Sequence, residues 1–565
     1  MKLYIKYLII LTILQVIGVL YHVTKSRGVH SRWRKHGPTF EQWKPEHSDI
    51  KQKIQSSKWI KYFPRVFDMV SKLQTIKTFS LLEDTTCANL STITLFNDKT
   101  DYQIGETLKA IIQARNYNNG TKWYGGDFFR ATLYRTFEPL AGVACDIVDK
   151  LNGTYVILCP LPWIGKARLS VKLIHPSESL LALMLNSSGS RELGVSLKAT
   201  VNNSFTNKQE LVECGFDFSD KLSSNQICNH SNPRNGEPWF CVKTTSHECP
   251  PIEWMDRYYD EDEDNQIQGN KPLFKIGINL RTRVRGPNKW IYITEKAQNN
   301  AGKPIPKITK SHNLSKRCNV ARTAPFSKEP MSATGWLDDG QWRSFLCNNT
   351  LFNVTNLEDC LRNHTVYFIG DSTVRHWYNF TITELKGTDH ATDGPSIWAQ
   401  ARNGVIKRSN ITLHYRAHGP PLHNPRTLKV RPYITDTMDD IPANSDKMIV
   451  LFSIGLHMDL FNPDIYLHRI RGIKLAIERL QSRSPKVRVF VKGHHVHSQS
   501  TRICPSDWLS YRHDVLLRHI FGESHGVNYL PFWDMTSVFN NRPYHPNKEL
   551  LRIQLGLFQS FLCDN

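Results

Sequence analysis

From Trp336 to the C-terminus, strand-length apolar runs alternate with longer segments of helical period, and this alternation restricts the fold more than any other feature of the sequence. "TVYFIGDS" leads into a helix-compatible stretch from Thr373 to Leu385, while "KMIVLFSIG" and "KVRVFVKG" are runs of buried-strand type. Between those two runs Ile470, Ile473, Ile477 and Leu480 recur at helical spacing, and "GVNYLPFWD" is the last strand candidate. Such alternation builds a parallel sheet covered by helices, with ligands bound beyond the carboxyl ends of the strands. An α/β domain over 336–565 is therefore expected.

The earlier part has a different rhythm. From about Thr85 to Arg285 short β-like runs such as "STITLFND", "DFFRATLYRT", "TYVILCPLPW" and "ARLSVKLIHPSES" are separated by Asn, Gly, Pro and Asp at β-sandwich spacing. A chain of 565 residues exceeds one ordinary core. The domain plan is a signal peptide or signal anchor over 1–27, a basic stalk over 28–84, a β-sandwich over 85–285, a Lys-, Asn- and Pro-rich connector over 286–335, and the α/β domain. Within the stalk, "WIKYFPRVFDMVSKL" also reads as an amphipathic helix with Ile60, Phe63, Phe67 and Val70 on one face.

Compartment follows from three features. Lys2 and Lys6 precede an apolar stretch from Leu8 to Leu20, which is a secretory signal. Its short apolar core favours cleavage, the missing small-residue cleavage site favours an uncleaved type II anchor, and both readings stand. The 12 Cys suit disulfides in an oxidising lumen. Asn-x-Ser/Thr acceptors run from Asn89 to Asn410, with none beyond, so the last quarter is read as least exposed to glycosylation. In the secretory pathway, whether secreted or anchored in the Golgi, a formal charge of +21 points to acidic glycans or a solvated surface, not to nucleic acid. The N-terminal segment is the expected membrane contact. The acidic run "YYDEDEDNQIQGN" lacks the spacing of an EF-hand and reads as an exposed loop.

At the strand ends the α/β reading brings Gly370-Asp371-Ser372, Gly455-Leu456-His457, Gly493-His494-His495 and Asp534 with His545 to one rim. These are residue types that acyl transfer needs: a serine, a histidine to activate it, an acid to orient the histidine, and donors for an oxyanion. A serine at a strand-to-helix turn is also a natural helix cap, which is the competing reading of Ser372. His494, His495 and His497 in "KGHHVHSQ" do not share one strand face, so no metal site is assigned there.

Two stretches resemble known families. "ICNHSNPRNGEPWFCVKTTSHEC", with Gly236, Glu237, Pro238, Trp239 and Cys241, resembles the neurexophilin domain, a secreted, glycosylated, Ig-like module. "GDSTVRHW" resembles the first block of the PC-esterase group of the SGNH/GDSL hydrolases, which includes polysaccharide and sialate O-acetyltransferases. The two domains in this order are similar to the NXPE family (neurexophilin and PC-esterase domain proteins).

The resemblance implies an Ig-like sandwich followed by an SGNH-type α/β domain. It further implies Ser372 as nucleophile, His545 as general base, and Asp371, Arg375, Gly455 and His457 on the oxyanion or substrate side. The group's acid three residues before the histidine is Arg542 here, so Asp534 is the substitute, with Asn541 as a neutral helper in a Ser-His dyad otherwise. The activity so implied is transfer or hydrolysis of O-acetyl groups on glycans, sialic acids among them, with acetyl-CoA as an acyl donor. The second reading, supported by Arg542, is a catalytically weakened glycoprotein that binds a cell-surface partner through its neurexophilin-like domain.

Overall fold

The structure is a computed structural model. It describes Lys58, Lys61, Phe63 and residues 82–563, apart from internal stretches of which the longest are 187–195, 259–280 except Leu273, 296–316, 319–332, 392–399, 420–431 and 498–506. The apolar N-terminal segment, most of the stalk and the acidic run after Tyr258 lie outside the described residues. Among the described residues no helix is long and apolar enough to cross a membrane.

The N-terminal half begins with β1 (Thr92–Leu95), β2 (Asp101–Gln103), β3 (Thr107–Gln113), β4 (Phe128–Arg135), β5 (Gly142–Asp149), β6 (Thr154–Pro160) and β7 (Gly165–His175), followed by helix α1 (Ser177–Asn186). A second group holds β8 (Ser196–Asn203), β9 (Lys208–Gly215), β10 (Ile227–Asn229), β11 (Phe240–Val242) and β12 (Ile252–Tyr258). Then come β13 (Thr282–Arg283), β14 (Ile291–Thr294), β15 (Gly335–Asp338) and β16 (Gln341–Ser344). The main sheet runs β1-β3-β6-β5-β4-β7-β14-β2, and the smaller sheet β10-β11-β9-β8-β12. Alternation explains the pairing: Leu108, Ala110 and Ile112 of β3 are buried between more exposed neighbours, and they share a core with Leu133, Val143, Tyr155 and Ile157.

Disulfides join Cys145–Cys159, Cys214–Cys241, Cys228–Cys249, Cys318–Cys347 and Cys360–Cys563. Cys87 is a buried free thiol.

The C-terminal half contains α2 (Val354–Leu361), β17 (Thr365–Gly370), α3 (Ser372–Glu384), β18 (Thr388–Ala391), β19 (Arg402–Ile406), β20 (Ile411–Ala417), α4 (Ile434–Asp439) and β21 (Met448–Phe452). It continues through α5 (Pro463–Arg483), β22 (Arg488–Lys492), α6 (Asp507–Phe521), β23 (Val527–Leu530), α7 (Trp533–Val538) and α8 (Lys548–Leu562). The strand order is β18-β19-β20-β17-β21-β22-β23, parallel from β20 to β23 and antiparallel at β18 and β19. Strand β17 thus lies between β20 and β21, with later strands added on both sides of it. That is a topological switch point, where a crevice opens at the carboxyl ends.

One boundary differs from the expectation that the α/β domain opens at 336. Strand β15 pairs with β5, Trp336 opposite Val143 and Leu337 opposite Gly142. Strand β6 pairs with β5 over Asp146–Asp149, and β15 takes up the edge of β5 beyond that stretch. Elsewhere along the seam Glu237, from the "GEPW" stretch, pairs in full burial with Arg469 of α5, and Arg130 of β4 lies 3.2 Å from Asp507 of α6.

Candidate active site

Strand β17 ends at Gly370, whose φ is +155° and where a Cβ would come within 2.4 Å of Ser453 O. Only glycine fits this approach of β17 to the chain leaving β21. The next residue, Asp371, is the N-cap of α3: its Oδ1 accepts from Thr373 N at 2.9 Å and Thr373 Oγ1 at 2.6 Å. Capping is therefore done by Asp371, and Ser372, the first helical residue, has its side chain available for another partner. Ser372 Oγ lies 2.7 Å from His545 Nε2. Both residues are partly exposed.

Burial holds the His545 ring below the ordinary histidine range; the Asp371 charge pulls it upward, while Arg375 and Lys492 push it further down. A neutral ring at neutral pH is what a general base requires. The His376 ring stacks on that of His545, with centroids 4.3 Å apart and planes 21° apart. Burial, with the neighbouring His545 and Arg375, brings His376 down to about 4, so the stacked partner adds no charge at neutral pH.

Burial alone would raise Asp371, but His457 and Lys492, the Thr373 hydrogen bonds and His418 overcome it and keep the carboxylate well below its usual range. Asp371 is thus an anion beside the histidine. Lys492, at the end of β22, donates to Thr373 Oγ1 at 3.2 Å and is lowered by burial to about 8. Among the described residues no donor meets Asp371 Oδ2, and Asp371 lines a cavity of about 10 Å³ with Ser453, Gly455, Lys492 and His494.

Gly455 precedes the turn Leu456–Met458, and a Cβ there would lie 3.5 Å from Asp371 Oδ2. In that turn His457 Nδ1 is 2.9 Å from His418 Nε2. His418 Nδ1 lies 2.9 Å from Gly419 O, which can only accept, so His418 carries its proton on Nδ1 and Nε2 receives from His457 when His418 is neutral. Arg375 follows Ser372 by one turn of α3.

Asp534 is not where orientation of His545 requires it. Its Oδ2 accepts from Thr334 N at 2.8 Å and Thr334 Oγ1 at 2.9 Å, which ties α7 to the connector. Asn541 is occupied as well, its Nδ2 donating to Val496 O at 2.7 Å and Pro543 O at 2.8 Å. Among the described residues no hydrogen-bond partner meets His545 Nδ1. Arg542 is exposed. The orienting role expected of Asp534 is corrected on this geometry: α7 points the carboxylate at Thr334, across the domain seam.

The histidines of "KGHHVHSQ" diverge. His494 Nε2 meets Tyr466 OH at 2.9 Å, His495 Nε2 donates to Tyr544 O at 2.8 Å, and His497 Nε2 lies 3.0 Å from Asp459 Oδ2. Asp459 is fully buried with His513 at 3.5 Å and His494 at 3.7 Å; burial would raise it, but bonds from His497 and His513 hold it below the usual carboxylate range. Among the described residues no group of three or more His, Cys, Asp or Glu is arranged to hold a metal ion.

Reading the sequence did not find His376, His418 or Thr373. His418 directly follows β20, and recognising "ITLHYRAHG" as a rim strand is the signal that finds it.

Comparison with protein families gives two matches. Residues 342–563 match the model described as NXPE family member 4-like, C-terminal domain, and residues 72–263 match the model described as neurexophilin.

Proposed function

Taking as premise that the chain belongs to the NXPE family, we propose that it is a secretory-pathway O-acyltransferase or esterase acting on glycan hydroxyls through a Ser372 acyl-enzyme. The observation that carries this reading is the 2.7 Å approach of Ser372 Oγ to His545 Nε2 at the sheet's switch point. The five disulfides and the neurexophilin match are consistent with the secretory pathway. An SGNH-type fold for the α/β domain, an Ig-like fold for the N-terminal domain, and a type II Golgi or secreted location belong to the same proposal.

In the first half-reaction His545 Nε2 takes the Ser372 proton as Oγ bonds to the acyl carbon. The developing oxyanion forms near the Ser372 backbone N–H, the first donor of α3. Collapse expels the donor's leaving group, which receives the proton from His545, and leaves the acyl ester on Ser372. In the second half-reaction a sugar hydroxyl, or water, gives its proton to His545 and attacks that ester; the acyl–Oγ bond breaks, and Ser372 Oγ takes the proton back from His545 as the acylated sugar, or the free acid, is released. Asp371 is the anion that favours the imidazolium formed in each half. The acyl donor is proposed as an acetyl thioester such as acetyl-CoA, and the acceptor as an acidic glycan, sialic acid among them.

A second reading, a weakened enzyme that binds a cell-surface partner through its N-terminal domain, is favoured by one observation: Arg542 stands at the expected acid position, exposed, and among the described residues no carboxylate meets His545 Nδ1.

The test uses the secreted chain and its Ser372→Ala variant with an activated acetyl ester, and with an acetyl donor plus sialylated glycan. The expected loss of turnover in the variant is about 10³-fold or more. Equal rates for folded parent and variant would remove the acyl-enzyme and leave the binding reading.

A further inference from the structure

The seam between the domains reaches the segment that carries His545. Helix α7 and the loop after it run from Trp533 to Asn547, and three consecutive anchors on this stretch come from outside the α/β domain. Asp534 Oδ2 accepts from Thr334 N and Oγ1. The Val538 carbonyl accepts from Tyr134 OH of β4 at 3.1 Å. Asn540 Oδ1 accepts from Lys172 Nζ of β7 at 2.7 Å.

The opposite side of the segment is held by the rim. Thr536 Oγ1 accepts from Val496 N at 2.9 Å, Asn541 Nδ2 donates to Val496 O at 2.7 Å, and Tyr544 O accepts from His495 Nε2 at 2.8 Å. The chain that ends in His545 is therefore gripped from both domains. Asn540 sits at φ +48°, a left-handed conformation that asparagine tolerates at a turn. Half-burial, together with Arg130 and Arg542, lowers Lys172 to about 8, and the amine donates to Asn540 whether or not it is charged.

A histidine base needs its ring held to within a fraction of an ångström, and a carboxylate on Nδ1 is the usual means. We propose that Lys172 of the N-terminal domain, acting through Asn540, is a positioning residue for His545, so that anchorage of the loop across the domain seam replaces an orienting carboxylate that none of the described residues supplies. This rests on the acyl-transfer reading for its catalytic consequence, while the anchorage itself is measurable without turnover. The N-terminal domain thereby becomes a working part of the site.

The experiment compares the full secreted chain with Lys172→Met, Lys172→Arg, Asn540→Gly and the Lys172→Met/Asn540→Gly double variant. Glycine at 540 removes the acceptor without opposing the positive φ. Hydrogen exchange over 539–547, melting temperature, and kcat and KM on an activated acetyl ester are measured for each. The expected result is faster exchange in that loop for Lys172→Met, with kcat down about tenfold or more and KM within about twofold. Lys172→Arg recovers most of both, and the double variant is no worse than either single change. Unchanged loop exchange in Lys172→Met overturns the proposal, as does a fall in kcat that only follows loss of folded protein or adds fully in the double variant. A parent without turnover defeats the acyl-transfer reading alone, and loop exchange in Lys172→Met and Lys172→Arg then decides the anchorage.

Discussion

In the N-terminal domain one knot of buried charge, around Lys122 and Glu178, closes on itself, whereas in the α/β domain a set of buried charged and titratable groups gathers at the ends of the parallel strands. Lys122 and Glu178, almost wholly buried, pair with each other and with Tyr124. Beside them Asp127 accepts from Thr86 Oγ1 at 2.8 Å, Ser177 N at 2.8 Å and Tyr155 OH at 3.0 Å, and burial still raises it to about 6. That knot joins α1 to the strands. The α/β domain instead gathers Asp371, Lys492, His494, His497 and Asp459 at the ends of parallel strands, beneath the partly exposed Ser372 and His545. Equal burial therefore serves two ends. A sealed knot specifies packing, and a layer of charge under a rim holds neighbouring side chains in a chemical state.

Covalent closure offers the largest way to test the contrast. The N-terminal bridges Cys145–Cys159, Cys214–Cys241 and Cys228–Cys249 span 14, 27 and 21 residues, but Cys360–Cys563 spans 203 and ties α2 to the end of α8. By loop-closure entropy, replacing Cys360 and Cys563 with Ser costs about 5 kcal/mol, against about 3 kcal/mol for Cys145 and Cys159. Urea denaturation of the two double variants measures the difference; equal losses would mean that loop length does not govern how these domains are held.

Next in size, Glu178→Gln breaks the sealed knot and is expected to cost about 3 kcal/mol of stability while leaving kcat per folded molecule unchanged. Asp459→Asn is expected to cost a similar amount and also to lower kcat at least tenfold, because His494, His497 and His513 lose their shared anion. A fall in kcat for folded Glu178→Gln would break the comparison.

The smallest effect concerns His545. Its pKa is lowered, and under the proposed mechanism the neutral ring is the base, so the acid limb of kcat is expected below pH 6.5, with activity lost as the ring gains its proton. Arg542→Asp introduces an acid three residues before His545 at an exposed position. It is expected to move that limb upward and raise kcat about tenfold, or about 1.4 kcal/mol. A pH–rate profile of both proteins measures this, and an unmoved limb would show that residue 542 does not reach the ring.

The turn at Gly370-Asp371-Ser372 was legible because everything it needs is local: an apolar strand, a glycine, a cap and a helical period. Ile470, Ile473, Ile477 and Leu480 are all buried as their spacing implies. Strand β20 was missed, although it borders β17, since "ITLHYRAHG" interleaves polar residues with its apolar face. The α/β domain was read as opening at 336, yet Gly335–Asp338 pairs with the edge of β5, a partner almost 200 residues earlier in the chain.

Residue order alone settled the two rhythms, the strand-to-helix turn and the pair of residue types that acyl transfer requires. Periodicity and turn chemistry depend on neighbours within a few positions, so they are written locally. The tertiary structure decided that Asp371 is the cap, that Ser372 meets a histidine 173 positions away, that Asp534 faces Thr334, and that Lys172 grips the loop before His545. These contacts depend on sheet order and on how two domains meet, and each is set by the sum of many weak packing terms spread along the chain, not by any short stretch of it.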